Sequence, residues 1–215
     1  MKARLLPCGE QGVLLEVDTI EEVLAWHGAV QVAISAGEAA FADVVDVVPA
    51  ARTLLFVVRD GGSLADVRAA LHTLPVPDRP SRTANGDDAT IVEVPTRYDG
   101  PDLDHVADLT GLTPVEVVRA HTGTPWQVAF CGFAPGFAYL VGGDPRLRVP
   151  RRREPRTSVP AGAVGLAGEF SAVYPRSSPG GWQLIGRTEV TVWHTEREPP
   201  ALMRPGMLVR FAEAG

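Results

Sequence analysis

The sequence predicts an α+β protein in two parts: a ferredoxin-like α/β sandwich over residues 1–80 and a β-barrel over residues 89–215. Three observations carry this. The first 74 residues alternate short elements in the order β-β-α-β-β-α, which folds as one sheet with helices on one face. Pro75 to Asp88 then holds three prolines, one glycine and mostly polar residues, the composition of a linker. Beyond His121 the chain is a run of short apolar segments separated by Gly and Pro, which suits a closed barrel.

In the first part, strands are expected at Arg4–Pro7 and Val13–Val17, flanking the turn Gly9-Glu10-Gln11-Gly12. Thr19 and Glu22 form a capping box that opens a helix running to about Ala36, where Gly37 stops it. Val44–Val48 and Leu54–Val58 are β-branched runs, and a second helix is expected at Leu64–Leu74. In the second part, Ile91–Pro95 reads as a strand, and Asp102–Leu109 and Pro114–His121 as helices. The latter has Thr113 as N-cap and Pro114 at the first helical position. Further strands are expected at Trp126–Phe130, Ala163–Ala167, Ala172–Tyr174, Gln183–Ile185, Val190–Trp193 and Met207–Phe211.

Composition excludes several functions. The chain has 215 residues, 45% hydrophobic and 21% charged, with a net charge of -6. Overall acidity argues against nucleic acid as the main partner. No apolar run approaches the roughly 20 residues that span a bilayer, and the N-terminus lacks a signal layout, so a cytoplasmic location is expected. Cys8 and Cys131 are too isolated for a disulfide framework or a thiolate metal site, and no metal is expected. Lys2 is the only lysine. An interior lysine for a Schiff base, a biotinyl arm or a P-loop is therefore missing.

Three segments are candidates for chemistry. Gly132-Phe133-Ala134-Pro135-Gly136-Phe137-Ala138-Tyr139-Leu140 sets special backbone angles between aromatics. It reads either as a tight barrel corner or as a loop whose N–H groups approach a ligand, with Tyr139 supplying a hydroxyl. Arg146 to Arg156 places six arginines in eleven residues. Arg151–Arg153 read as a solvated face, and Arg156 as the candidate for a bidentate grip on carboxylate or phosphate. The third, Pro179-Gly180-Gly181-Trp182-Gln183-Leu184-Ile185-Gly186-Arg187-Thr188, is a turn and a strand that leaves Arg187 at the barrel rim. Arg156 and Arg187 are expected to line one mouth facing the Gly132 to Tyr139 loop. His121, at a helix C-terminus, reads as a dipole-stabilised cation or a simple cap. His27, His72, His105 and His194 have no partner at metal-ligand spacing.

Taken together, Tyr98-Asp99-Gly100-Pro101-Asp102-Leu103, Gly111-Leu112-Thr113-Pro114, Gly132 to Phe137, Pro155-Arg156, Val159-Pro160-Ala161-Gly162, Ala167-Gly168-Glu169, Tyr174-Pro175 and Pro179 to Thr188 resemble a known family. It is the small, B-type subunit of bacterial 5-oxoprolinase, often labelled allophanate hydrolase subunit 1. Gly9 to Gly12 fits the same family.

The resemblance implies a cyclophilin-like barrel and a larger partner, of the allophanate hydrolase subunit 2 kind or the C-type subunit of 5-oxoprolinase. The implied activity is ATP-dependent hydrolysis of 5-oxoproline to glutamate, or of an allophanate-type amide, with ATP bound with or by the partner. Arg156, Arg187, His121, Tyr139 and Glu169 are then the candidate catalytic residues. Gly132, Phe133, Pro135, Gly136, Phe137, Gly181, Trp182 and Gln183 are the candidate substrate-binding ones. Because the family also includes a kinase-inhibiting relative, the alternative is a regulatory protein that inhibits a sensor histidine kinase through its barrel. One departure stands out: Phe170-Ser171-Ala172-Val173 replaces the usual Gln-Thr-Gly-Ile, which predicts loss of an amide and a hydroxyl.

Overall fold

Residues 3–76 and 91–215 are described by a computed structural model, and the chain divides into two compact units, Met1–Gly86 and Asp87–Gly215. The proposed linker falls outside the described residues except for its first two positions.

In the first unit, β1 (Arg4–Cys8) and β2 (Gly12–Glu16) form a hairpin, followed by α1 (Ile20–Ser35), β3 (Val44–Pro49), β4 (Thr53–Val58) and α2 (Leu64–Thr73). The strands make one antiparallel sheet in the order β1-β2-β4-β3. Alternation decides which face is buried: Val13 faces Phe56 and Leu15 faces Leu54, all four inside, while their chain neighbours point out. The expected caps form. Thr19 and Glu22 complete the box at the start of α1, and Ser63 accepts from the Asp66 amide at the start of α2. Each such cap is worth about 1 kcal/mol.

The second unit is a nearly closed barrel. Its strands are β5 (Ile91–Thr96), β6 (Trp126–Cys131), β7 (Ala138–Val141), β9 (Ala163–Ala167), β10 (Phe170–Val173), β12 (Gln183–Arg187) and β13 (Leu208–Glu213). The order is β12-β9-β10-β7-β6-β13-β5, antiparallel except for β13 with β5. The two end strands meet where Arg97 and Arg187 exchange both backbone hydrogen bonds at 2.8 Å. Outside this sheet, β8 (Arg156–Val159) and β11 (Ser178–Gly180) form a short ribbon. Helices α3 (Leu103–Thr110) and α4 (Pro114–Gly123) pack on β12 and β13. Val94, Val128, Leu140, Leu166, Ile185 and Phe211 fill the interior.

The expected strand at Val190–Trp193 does not form. An isolated bridge from Trp193 to Ala201, a bond from the Leu202 amide to the Val192 carbonyl, and bonds from Arg197 Nη2 to the Thr191 carbonyl and from the Val190 amide to Thr188 Oγ1 tie that segment down. It is a loop, and its apolar pattern reports burial of Val192 rather than a ladder. Strands β7 and β11 were not expected. They are three or four residues each, too short to show a period.

Candidate functional site

The site is organised by the segment that follows β5, in which each residue has one task. Tyr98 is half-buried and its hydroxyl lies 2.8 Å from His121 Nδ1. Asp99 accepts from the exposed Arg187 guanidinium at 3.0 Å. Gly100 lies against the β12 backbone, where a Cβ would collide with the Ile185 carbonyl carbon and the Leu184 oxygen. Asp102 stands where a helix N-cap is expected, yet its carboxylate does not cap α3. It turns toward the barrel, with Oδ2 accepting from the Leu184 amide at 2.7 Å. Oδ1 accepts from Arg152 Nη1 at 2.7 Å and from Arg156 Nη2 at 2.8 Å.

Asp102 is 3% exposed. Burial alone pushes its pKa up. The bonds from Arg156 and the Leu184 amide, with the charges of both arginines, outweigh that and hold the carboxyl below its ordinary value. One buried carboxylate therefore fixes two guanidinium groups side by side, each with further N–H donors.

The backbone locks the same segment. Arg152 N–H donates to the Gly181 carbonyl at 2.7 Å, and Gln183 Nε2 donates to the Pro150 carbonyl at 3.1 Å. Gly180 pairs with Arg156 across the β8–β11 ribbon. Arg152 is thus not part of a solvated run, as the sequence suggested. Its side chain is one-third exposed and held by Asp102, whereas Arg151 and Arg153 are exposed as expected. Asp102 and Arg152 are the two residues that sequence reasoning missed. The available signal was an aspartate at an N-cap position followed by a glycine-flanked strand, but it specifies no partner at this separation in sequence.

Behind the arginines stands an aromatic wall. Trp182 packs edge-on against Phe137 at 5.5 Å and Tyr139 at 5.7 Å, and Phe137 meets Tyr174 at 5.2 Å. Tyr139 also stacks on Phe130 at 4.3 Å, with Phe170 edge-on to both. Burial raises the Tyr139 pKa, and the Arg151 charge partly offsets it. Phe137 and Trp182 are buried, so they shape the wall from within the core. Gly181 and Gln183, flanking Trp182, sit against the arginine segment.

Gly132 to Phe137 is a self-contained turn. The amides of Gly132, Ala134 and Phe137 bond to Phe137, Gly132 and Ala134 carbonyls respectively. Three of the N–H groups expected to face a ligand are thereby occupied within the loop. Gly136 (φ 81°) lies under Trp193, where a Cβ would come within 2.6 Å of that side chain. Pro135 is exposed, and Phe133 is exposed at φ 68°, an unusual conformation for a non-glycine residue.

Arg187 does not join Arg156. In the β9–β12 ladder Gln183 faces Leu166 and Arg187 faces Ala163, so they stand at opposite ends of the strand, about 13 Å apart along it. Arg187 belongs to the barrel seam with Arg97 and Asp99. Glu169 sits on the β9–β10 turn, with Arg148 Nη2 at 4.0 Å.

His121 is corrected more sharply. The helix terminus favours a cation by less than about 1 kcal/mol, but the ring is fully buried, which pushes its pKa down to about 3. It is neutral, held between the Tyr98 hydroxyl and Ser171 Oγ at 2.8 Å on either side. That also answers the departure at 170–173: Ser171 keeps a hydroxyl where threonine is usual, and it serves the core rather than a ligand. Among the described residues no cluster of His, Cys, Asp or Glu is arranged to hold a metal ion, and no helix is long and apolar enough to cross a membrane.

Residues 3–203 match the family model described as the carboxyltransferase domain, subdomain C and D. The chain is 48% identical over 124 residues to the B-type subunit of 5-oxoprolinase from Bacillus subtilis (strain 168), covering 56% of this chain and 52% of that protein. Among solved structures, TTHA0988 superposes with a TM-score of 0.74 at 35% identity, over 95% of this chain and 40% of that one. A conserved uncharacterized protein from Pyrococcus horikoshii gives 0.57 at 30% identity, over 98% and 97%. The match thus spans about half the length of the curated relative. The likeness to the B-type subunit of 5-oxoprolinase seen in the motifs is borne out over 124 residues, and the family model extends into the N-terminal half, where motifs were sparse. By this match, over nearly its whole length, the chain belongs to the carboxyltransferase subdomain C and D family.

Proposed function

We propose that this chain is the small subunit of an ATP-dependent amidohydrolase that opens 5-oxoproline to glutamate, acting with a larger partner subunit in the cytoplasm. The observation that carries the reading is the Asp102 clamp. It holds Arg152 and Arg156 as a fixed pair of guanidinium groups, in a segment tied through the Arg152 amide to Gly181, the neighbour of Trp182. A substrate with a carboxylate needs such an anion grip. The name of the Bacillus subtilis relative supports this substrate.

A lactam carbonyl is a poor electrophile. Transfer of a phosphoryl group from ATP to its oxygen makes the ring carbon open to attack by water. This chain has no lysine beyond Lys2 with which to build a P-loop, which supports ATP being held with or by the partner. The contribution of this chain is to bind and orient the acid. For the N-terminal unit we propose a permuted ferredoxin-like arrangement, supported by its ββαββα order and 1-2-4-3 antiparallel sheet.

The test is to co-express the chain with the large subunit and measure ATP consumption against 5-oxoproline, allophanate and urea. ATP hydrolysis coupled to glutamate release with 5-oxoproline alone is the expected result. Coupling to allophanate instead would reassign the substrate, and no coupling to any of the three would overturn the enzyme reading.

A further inference from the structure

Five buried side-chain polar atoms have no hydrogen-bond partner among the described residues, and two of them, Arg152 Nε and Gln183 Oε1, belong to residues that line one cleft. Arg156 Nη1 and Ser178 Oγ are two more, on the adjoining β8–β11 ribbon. Asp102 ties Arg152 to Arg156, the β8–β11 ribbon brings Arg156 beside the strand that starts at Ser178, and Pro150 ties Gln183 to the arginine segment. Buried polar groups are nearly always paired, so two unmet ones on residues lining one cleft mark a place prepared for something else.

A cleft of about 520 Å³ opens there, lined by His105 and Leu109 of α3, by Arg151, Arg153 and Glu154, and by Gln183. Arg152 and Pro150 complete it. Three arginines against one glutamate make it positive, in a chain whose net charge is -6. Gln183 is 2% exposed and its amide can face only one way. The Pro150 carbonyl accepts and cannot donate, so Nε2 must meet it, which leaves Oε1 as an acceptor in want of a donor.

We infer that this cleft binds a small anion carrying a hydrogen-bond donor next to its charge, the anion against the Arg151–Arg153 segment and the donor on Gln183 Oε1. Two sources have that chemistry. One is an amide acid such as 5-oxoproline, whose ring N–H adjoins its carboxylate. The other is hydrogen phosphate, whose P–OH donates while its remaining oxygens carry the charge. The amide-acid source rests on the function proposed above, and the phosphate source does not.

The test is isothermal titration of the full chain with three probes: 5-oxoproline, inorganic phosphate, and tetrahydrofuran-2-carboxylate. The last keeps ring and carboxylate but has an ether oxygen in place of the N–H. One of the first two should bind with a Kd below about 1 mM, and the ether acid at least about tenfold more weakly than 5-oxoproline or phosphate, whichever binds. The double variant Arg151→Gln, Arg153→Gln alters only exposed side chains and should weaken binding at least about tenfold. Gln183→Met should do the same for the donor-bearing probe, with the melting temperature recorded alongside.

Tighter binding of 5-oxoproline supports the amide-acid source, and tighter binding of phosphate supports the phosphoryl source. The proposal is overturned if neither binds below about 10 mM, if the ether acid binds equally well, or if the double variant binds like the parent. These readouts need no partner subunit, so failure of the co-expressed pair to hydrolyse 5-oxoproline would leave them standing.

Discussion

Asp102 is the residue on which the site turns. Its folded pKa is depressed, while an unfolded aspartate titrates near about 3.9. A depressed carboxylate adds stability that is present above the unfolded value and lost as pH falls through the folded one. Asp102→Asn should therefore be less stable than the parent by about 3 kcal/mol at pH 6, because it leaves two part-buried guanidinium groups uncompensated. The gap should narrow as pH drops below about 4. Urea unfolding at pH 6, 4 and 3 measures this, and a gap that stays constant with pH would show that the charge is not what matters. The arginines make a second pair of predictions. Arg156→Lys keeps the charge but loses the fork, and should lower turnover of the co-expressed complex by about tenfold or more, equivalent to about 1.4 kcal/mol. Arg187 sits in an exposed pair with Asp99 at the barrel seam, and such pairs contribute little. Arg187→Lys should change turnover by less than about threefold. Equal losses in the two variants would refute the separation of the two ends of β12.

At the scale of elements, the barrel is closed by the approach of backbones rather than by side-chain packing. The segment from Arg97 to Asp102 runs along β12, bonded at Arg187, Ile185 and Leu184. Gly100 and Gly186 permit the approach, and a Cβ on Gly186 would lie 2.5 Å from the Arg97 carbonyl oxygen. Gly100→Ala forces β12 or the Asp102 segment to move, and should cost about 3 kcal/mol or more. Gly132→Ala is the control. It has no positive φ, and its Cβ would meet only Tyr139 Cε2, at 3.8 Å. It should change stability by less than about 0.5 kcal/mol. Thermal unfolding of both variants checks the pair, and a tolerated Gly100→Ala would mean the seam is not tight. Much of this level was readable in advance. The two capping boxes and the alternation in β2 and β4 are local patterns, and they placed α1, α4 and the first sheet within one or two residues. The ribbon β8–β11 was not readable, because its pairing is supplied by a distant turn.

At the scale of the molecule, the match spans about half of a curated relative and 40% of TTHA0988, and the assembly with a large subunit proposed above is open to direct test. Co-expression with the large subunit should give a complex stable to gel filtration, burying at least about 1,000 Å². Separate elution at micromolar concentration would refute the assembly. What the sequence by itself determined is what depends on neighbours along the chain: the helices and their caps, the barrel class, and the family carried by its motifs. What only the tertiary structure decided is which charges meet. The sequence shows six arginines between 146 and 156 as one run, and it shows Asp99, Asp102 and Arg187 as isolated letters. Folding sorts them, because Asp102 is buried beside β12 and cannot remain charged there without partners. The nearest guanidinium groups, Arg152 and Arg156, are drawn in, Arg187 is left to the seam with Asp99, and Arg151 and Arg153 stay exposed at the cleft. His121 follows the same rule: its position in α4 suggested a cation, and complete burial made it neutral. The desolvation energy that settles both cases depends on what surrounds a group in space, and spacing along the chain does not contain it.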